Sequence, residues 1–558
     1  MTERWTSLHR STTAGSLASS WNDGYMVDSV YTPGMMSDLT PTWLSAAAVL
    51  HGQPPLRRVD GRPLRWLDLG TGLGTSAAMV AAANPNIEVW GFDYNPAHVD
   101  AGQTLASRAG LGNCHFHEAS FETLAGDLTI GPDEVDVVVV NGVYSWISKH
   151  NQRQIASIIR QRLRPGGFAY IMYEVPLGWA SLSPVTEALR LHAAASRRHP
   201  VPAFADAAAA VAQLAELGAK TFPLPPAEAE RMQNWSSANG FYAAHEYLGS
   251  NFGPLMLDEV ARTMADARCS LVGTTNVLSA FQYNWMSEEL RAMFSEVQDP
   301  ILSEMLHDVF GERALRADLY RRGLASPTNQ EIQEWSRDLE MVGLSRDLED
   351  KPVGMLVGGV TLDASYHQPL IDAMAQGPLD AETIMGIHPE WTWRDAVTAM
   401  ALQIGGGYGA PSVRGAPSVE VIEASRRLNE VIFADNRNGV GHSYLVAPKL
   451  GSSINIDSIE LMAIDAIRSL TGSGGEAGAG SGAGSGSGSG SGPGSGGSEV
   501  GVGEVADAVA AELDRLGHFV REEGKLLKDP DEARPVIEKR SEHALKLYKD
   551  LLPRLGIV

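Results

Sequence analysis

Over residues 64 to 175 short apolar runs alternate with longer amphipathic ones. An apolar approach from Leu64 ends in Asp68, breaks into a loop carrying Gly70, Gly72 and Gly74, and resumes as helix formers from Ala77 to Ala81. A second strand, Ile87–Phe92, delivers Asp93 and is followed by a helical stretch stopped at Gly110. The short run Cys114–His117 leads into E-A-S-F-E-T-L, and Val135–Val140 is a β-branched run of the kind buried on both faces of a parallel sheet. A helix over Gln152–Leu163 stops at R-P-G-G, and the strand Phe168–Tyr173 follows. Strands alternating with helices predict an α/β fold with a doubly wound parallel sheet.

The pattern changes after Trp179. Residues 185–345 read as a mainly helical middle domain, with Ala-rich Ala205–Leu217 and amphipathic Asn251–Asp266. Residues 346–450 mix short strands near Gly354–Leu362 with helices, as a small α/β accessory region. Residues 451–558 offer helices at Asp457–Leu470 and Val505–Leu516, a short wing at G-H-F-V-R-E-E-G-K-L-L and a last helix over Pro530–Leu555. Between the first two lies a Gly/Ser tract, 471–504, which cannot bury a core and is expected to be flexible. Loop closure costs grow only logarithmically with length, so an insertion of this size is tolerable within one domain. Residues 1–20 are expected to be disordered, and 21–184 to form the first domain.

The glycine loop carries the chemistry. A dinucleotide site wants G-x-G-x-x-G, and its third glycine would fall on Thr75. Asp68 to Gly74 instead spells acid-x-G-x-G-x-G, which resembles the first motif of class I S-adenosylmethionine (SAM)-dependent methyltransferases. Glycines suit a tight turn and close backbone approach, and the helix start behind them suits a polar or anionic group. Asp93, at the end of the next strand, is placed to accept hydrogen bonds from ribose hydroxyls. The resemblance implies a Rossmann-like sheet, SAM as cofactor, and adenine contacts from Ser120 and Phe121; Ser120 also reads as a plain helix cap.

The carboxyl end of the Val135–Val140 strand runs into N-G-V-Y-S-W-I, and one helix and one strand later comes Y-E-V-P-L-G-W. Together they resemble the signature of bacterial protein-lysine methyltransferases that carry a methyltransferase regulatory domain. F-Y-A-A-H-E-Y-L (241–248), A-R-C-S-L-V-G (267–273) and R-A-D-L-Y-R-R-G (316–323) resemble that family's middle domain. A-P-K-L-G-S-S-I-N-I-D-S-I-E (447–460) resembles its C-terminal domain, which is winged-helix-like. The chain departs from the family at two places: Asn141 stands where His is usual, and Glu174 where Asn is usual. Asn141, Tyr144, Tyr173 and Glu174 are the expected catalytic pocket, with Asn141 also near the cofactor, and Trp146, His245, Tyr25 and Tyr31 the expected substrate contacts. Sheet-end packing for the first group, and core packing for His245, remain open alternatives.

Composition narrows the rest. A formal charge of −23 argues against a general phosphate-backbone binder, so no nucleic-acid partner is expected. The two cysteines, Cys114 and Cys269, give neither a disulfide framework nor a metal site. His245-Glu246 has no second His at helical spacing, and no metal is expected. No apolar signal core or bilayer-length apolar run occurs, so a cytoplasmic enzyme without a membrane partner is expected. Three functions fit: N-methylation of a protein or peptide lysine, O- or N-methylation of a small molecule or modified peptide, and SAM sensing without turnover.

Overall fold

Each strand of the main sheet is built from an apolar run of the kind just described: β1 (Leu64–Leu69), β2 (Ile87–Asp93), β3 (Cys114–Glu118), β4 (Val135–Val140) and β5 (Leu163–Glu174). Two more, β6 (Cys269–Thr274) and β7 (Leu315–Arg322), complete a seven-stranded sheet in the order β3-β2-β1-β4-β5-β7-β6. The structure, a computed structural model, describes residues 34–558 except 59, 197, 226–227, 230–231, 233–239, 350–351, 355–358, 473–499 and 523–524. β1 to β5 run parallel, while β7 is antiparallel to both its neighbours. All six residues of β4 are buried, as a central strand covered on both faces requires.

The helices needed here are α1 (Pro41–Leu50), α2 (Thr75–Ala83), α3 (Pro96–Arg108), α4 (Phe121–Gly126) and α5 (Lys149–Arg162). Every residue of α2 is buried, because it lies between the sheet and the later helix Val419–Arg437. Its small side chains allow that close approach on two sides; Ser425 Oγ donates to Ala82 O at 3.3 Å. Strand order reverses between β1 and β4, so their carboxyl ends diverge and leave a crevice.

The middle stretch is mainly helical, as expected, and it also sends two strands into the first sheet. The helices α6 (Ser183–Ser196), α7 (Pro200–Glu216) and α8 (Gly240–Leu248) share a satellite core around Trp179, Leu189, Phe204 and Val211. α9 (Leu257–Asp266) starts later than the amphipathic pattern from Asn251 suggested, after Pro254. β6 and β7 then return to the first sheet. β7 pairs with β5 from Phe168↔Arg321 to Glu174↔Leu315. Its sequence hides a buried strand because Arg316 and Asp318 are fully buried and neutralise each other, Nε donating to Oδ1 at 2.8 Å. R-P-G-G, expected to lie outside the strand, falls inside β5; pairing with β4 slips there, between Val135↔Leu163 and Val137↔Phe168.

Near the end, helices Ser458–Leu470, Val502–Leu516 and Pro530–Lys546 pack against one another, with a hairpin of Val520–Glu522 and Lys525–Leu527. The last helix runs from Pro530 to Arg554, close to the expected Leu555, with a π-helical turn at Leu547–Leu551. Most of the Gly/Ser tract lies outside the described residues, as do Tyr25 and Tyr31. No helix among the described residues is long and apolar enough to cross a membrane.

Candidate active site

Asp68 closes β1 and is 4% exposed; its Oδ2 accepts from Thr71 Oγ1 at 3.0 Å. Burial, with a smaller push from the nearby Asp93 charge, raises its pKa to about 7. The loop after it is tied to β2, the amides of Gly70 and Thr71 donating to Phe92 O at 2.8 and 3.1 Å. Three loop glycines sit at positive φ, but for different reasons. A Cβ on Gly70 would lie 2.6 Å from Val143 Cγ2, and one on Gly74 2.5 Å from the Phe116 ring. A Cβ on Gly72 would meet nothing within 4 Å, since this glycine opens onto the crevice. The packing glycines Gly91 and Gly102 also press on Phe116, a role the sequence pattern did not single out.

Asp93 ends β2 facing the same space. Its Oδ2 accepts from Gly72 N and its Oδ1 from Asn95 N, each at 2.9 Å, so the second carboxylate fixes the loop of the first. His98, on the first turn of α3, is 2% exposed with Nδ1 3.4 Å from Asp93 Oδ1. Neither of its ring nitrogens makes a hydrogen bond among the described residues, and it lines the crevice. Sequence reasoning missed it, although its helical spacing from Asp93 was visible. Ser120 caps α4, its Oγ accepting from Thr123 N at 3.1 Å, and both Ser120 and Phe121 line the crevice as well.

The crevice has a volume of about 740 Å³, within the usual range for small-molecule sites. Beyond the glycine loop its walls come from distant parts of the chain: Met36, Trp146, Met172, Asn251 and Tyr444. Asn141, at the end of β4, stands between the two regions, and its Oδ1 is buried without a hydrogen-bond partner among the described residues.

The other expected pocket residues lie elsewhere. Tyr144 is 1% exposed, outside the crevice, toward Thr263 and Glu259 of α9; burial raises its phenol above the ordinary value. Tyr173 is fully buried and donates to Asp318 Oδ2 at 2.7 Å. Asp318 holds Arg316, whose NH1 donates to both oxygens of Asp308 at 2.7 Å and whose NH2 donates to Glu304 at 3.2 Å. Ringed by carboxylates, Arg316 stays charged, well above its ordinary pKa. Glu174 is 8% exposed and accepts from Trp179 Nε1 at 2.6 Å. Glu174 does not line the crevice; the Trp179 ring lies 5.0 Å from Phe252, which lies 5.4 Å from the crevice residue Trp146. His245 is 4% exposed and does not line the crevice. No group of three or more His, Cys, Asp or Glu among the described residues could hold a metal ion.

Comparison with known proteins decides what this crevice serves. Residues 67–167 match the family model of a methyltransferase domain, and residues 239–322 that of a predicted methyltransferase regulatory domain. The chain is a SAM-dependent methyltransferase with a methyltransferase regulatory domain. The residues fit that donor: two buried carboxylates, an open glycine and an unbonded imidazole face one cavity of suitable size. An uncharacterised protein of Synechocystis, sll1526, is 27% identical over 462 residues, covering 80% of this chain and 87% of that one. RP028 of Rickettsia prowazekii, also uncharacterised, is 29% identical over 164 residues, 29% of this chain and 62% of that one. In fold, the methyltransferase is similar to PKMT2 of Rickettsia typhi, solved with AdoHcy, at a TM-score of 0.62 and 15% identity, covering 94% of this chain and 99% of that one. The match to the regulatory domain spans β6 and β7. The regulatory segment therefore completes the catalytic sheet.

Proposed function

We propose that the enzyme N-methylates a primary amine, the side chain of a lysine in a protein or peptide. The observation that carries this reading is the buried Oδ1 of Asn141, without a partner among the described residues, in a crevice wall that also carries Met36, Met172, Trp146 and Tyr444. The name of the Rickettsia typhi protein, PKMT2, is in keeping with it.

SAM supplies a methyl group on a sulfonium and thus its own electrophile. Asp68 and the Gly70–Gly74 turn would hold its methionyl end, Asp93 and His98 the ribose side, and Ser120 and Phe121 the adenine. Asn141 Oδ1 accepts an N–H of the amine, which leaves the nitrogen lone pair free to point along the S–CH₃ bond. Met36, Met172, Trp146 and Tyr444 take the amine out of water and so favour its neutral, nucleophilic form. Transfer to that nitrogen would leave the sulfur–carbon electron pair on sulfur, and the surplus proton of the product ammonium would pass to solvent.

The test is transfer from methyl-labelled SAM into a cell extract split into protein and small-molecule fractions, with Asp68→Ala as the blank. Base-stable label in the protein fraction is expected. Label confined to small molecules, or released by base as methanol, would overturn the lysine assignment.

A further inference from the structure

Tyr444 begins the strand Tyr444–Ala447, far along the chain from the methyltransferase motifs, yet it lines the same crevice as Asn141, Met36 and Met172. The strand that carries it is held rigidly. Tyr444 pairs with Asn455 in a hairpin, and Leu445, Val446 and Ala447 are fully buried. Asn429 clamps Val446 from both sides, Oδ1 accepting its amide at 2.7 Å and Nδ2 donating to its carbonyl at 3.0 Å. The hairpin is pinned to the end of α2 by Asn84 Nδ2, which donates to Gly451 O at 3.0 Å. Its reach into the crevice is therefore fixed by the fold rather than by a mobile loop.

The Tyr444 hydroxyl makes no hydrogen bond among the described residues. The tyrosines of β5 and β7 contrast with it: Tyr173 and Tyr320 donate to Asp318 at 2.7 and 3.4 Å, and Tyr170 reaches Asp38 at 3.4 Å. A half-buried ring on a rigid strand, with its polar end unspent and facing a cavity, has the form of a binding contact. Tyr444 packs with Met172 against the core cluster that contains α2, and the two share the crevice lining with Met36, Trp146 and Asn251.

We infer that Tyr444 is an acceptor-selecting residue: its ring lies along the apolar stem of the methyl acceptor, and its hydroxyl bonds to a polar group beside that stem. Through it the C-terminal part of the chain reads the acceptor while the N-terminal sheet holds the donor. This rests on the amine reading above for the nature of the stem, but its test does not.

The test compares wild type, Tyr444→Ala and Tyr444→Phe. The readout is label transferred from saturating methyl-labelled SAM into a dilution series of whichever extract fraction the wild type labels; AdoHcy affinity is measured by calorimetry on the same samples. For Tyr444→Ala the half-saturating acceptor concentration rises about tenfold. Tyr444→Phe, which keeps the ring, costs about threefold. AdoHcy affinity holds in both. An unchanged half-saturation, or a parallel loss of AdoHcy affinity, overturns the inference. A shift seen only with a small-molecule fraction supports Tyr444 while refuting lysine.

Discussion

The two halves of the crevice are built in opposite ways. On the donor side, from β1 to β3, the polar groups that have partners find them within that stretch: Asp68 in Thr71, Asp93 in Gly72 and Asn95, Ser120 in Thr123. On the acceptor side, around β4, β5 and β7, polar groups are held by residues far away. Tyr173 is spent on Asp318, and the crevice wall is supplied by Met36, Asn251 and Tyr444. The difference teaches that a conspicuous residue beside a strand end is a ligand contact only when nothing later in the chain returns to claim it. Here the regulatory segment does return, as β7, and its Asp318 claims the Tyr173 hydroxyl.

The largest effect should come from breaking that return. Asp318→Ala leaves Arg316 buried beside a vacancy and the Tyr173 hydroxyl unpaired, at a cost of about 3–5 kcal/mol, read as a fall in thermal midpoint. Tyr173→Phe should cost about 1–2 kcal/mol of stability while the folded enzyme keeps its turnover; lost turnover at unchanged stability would restore Tyr173 to the reaction centre.

The glycines sharpen the comparison within the donor half. Gly74→Ala forces a Cβ to 2.5 Å from Phe116 and should destabilise the fold itself. Gly72→Ala meets no protein atom and should chiefly weaken SAM binding, with only about 1 kcal/mol lost to its positive φ. Equal destabilisation by both would remove the distinction between a packing and a ligand-facing glycine.

Asp68 gives a pH signature. Burial raises its folded pKa to about 7, so the unliganded protein holds a proton there at mildly acid pH. That proton contributes stability below the ordinary carboxylate pKa of 3.8, and the contribution is lost as pH rises through about 7. A cationic donor favours the ionised carboxylate, so SAM affinity should rise with pH up to about 7, by at most about tenfold per unit, and then level. Asp68→Asn should flatten the profile; an unchanged slope would place the titration elsewhere. The smallest effect is expected from Glu174→Gln, which keeps an acceptor for Trp179 and lies outside the crevice lining. Turnover should change by no more than about threefold.

What could be read from the sequence follows the same division. β1 to β5, the acid-glycine loop, Asp93, Ser120 and Phe121 were all legible, because apolar runs and turn residues encode them locally. β7 was not, since its buried charges cancel only once Arg316 meets Asp318, Asp308 and Glu304 in space. Asn141 and Trp146 were placed at the crevice because they follow a strand end directly. Tyr144, Tyr173 and Glu174 follow strand ends equally closely, but their burial depends on α9, β7 and Trp179. Tyr444 carried no signal at all, as nothing in its local sequence announces a cavity formed by other segments.

The most direct test of the account is Asn141→Ala, with turnover and AdoHcy affinity measured on the same preparation. Loss of the one oxygen held ready for the acceptor amine should lower kcat about 100-fold while AdoHcy affinity changes by no more than about threefold. Turnover within a fewfold of wild type, or affinity lost in step with turnover, would contradict the placement of the reacting nitrogen at Asn141.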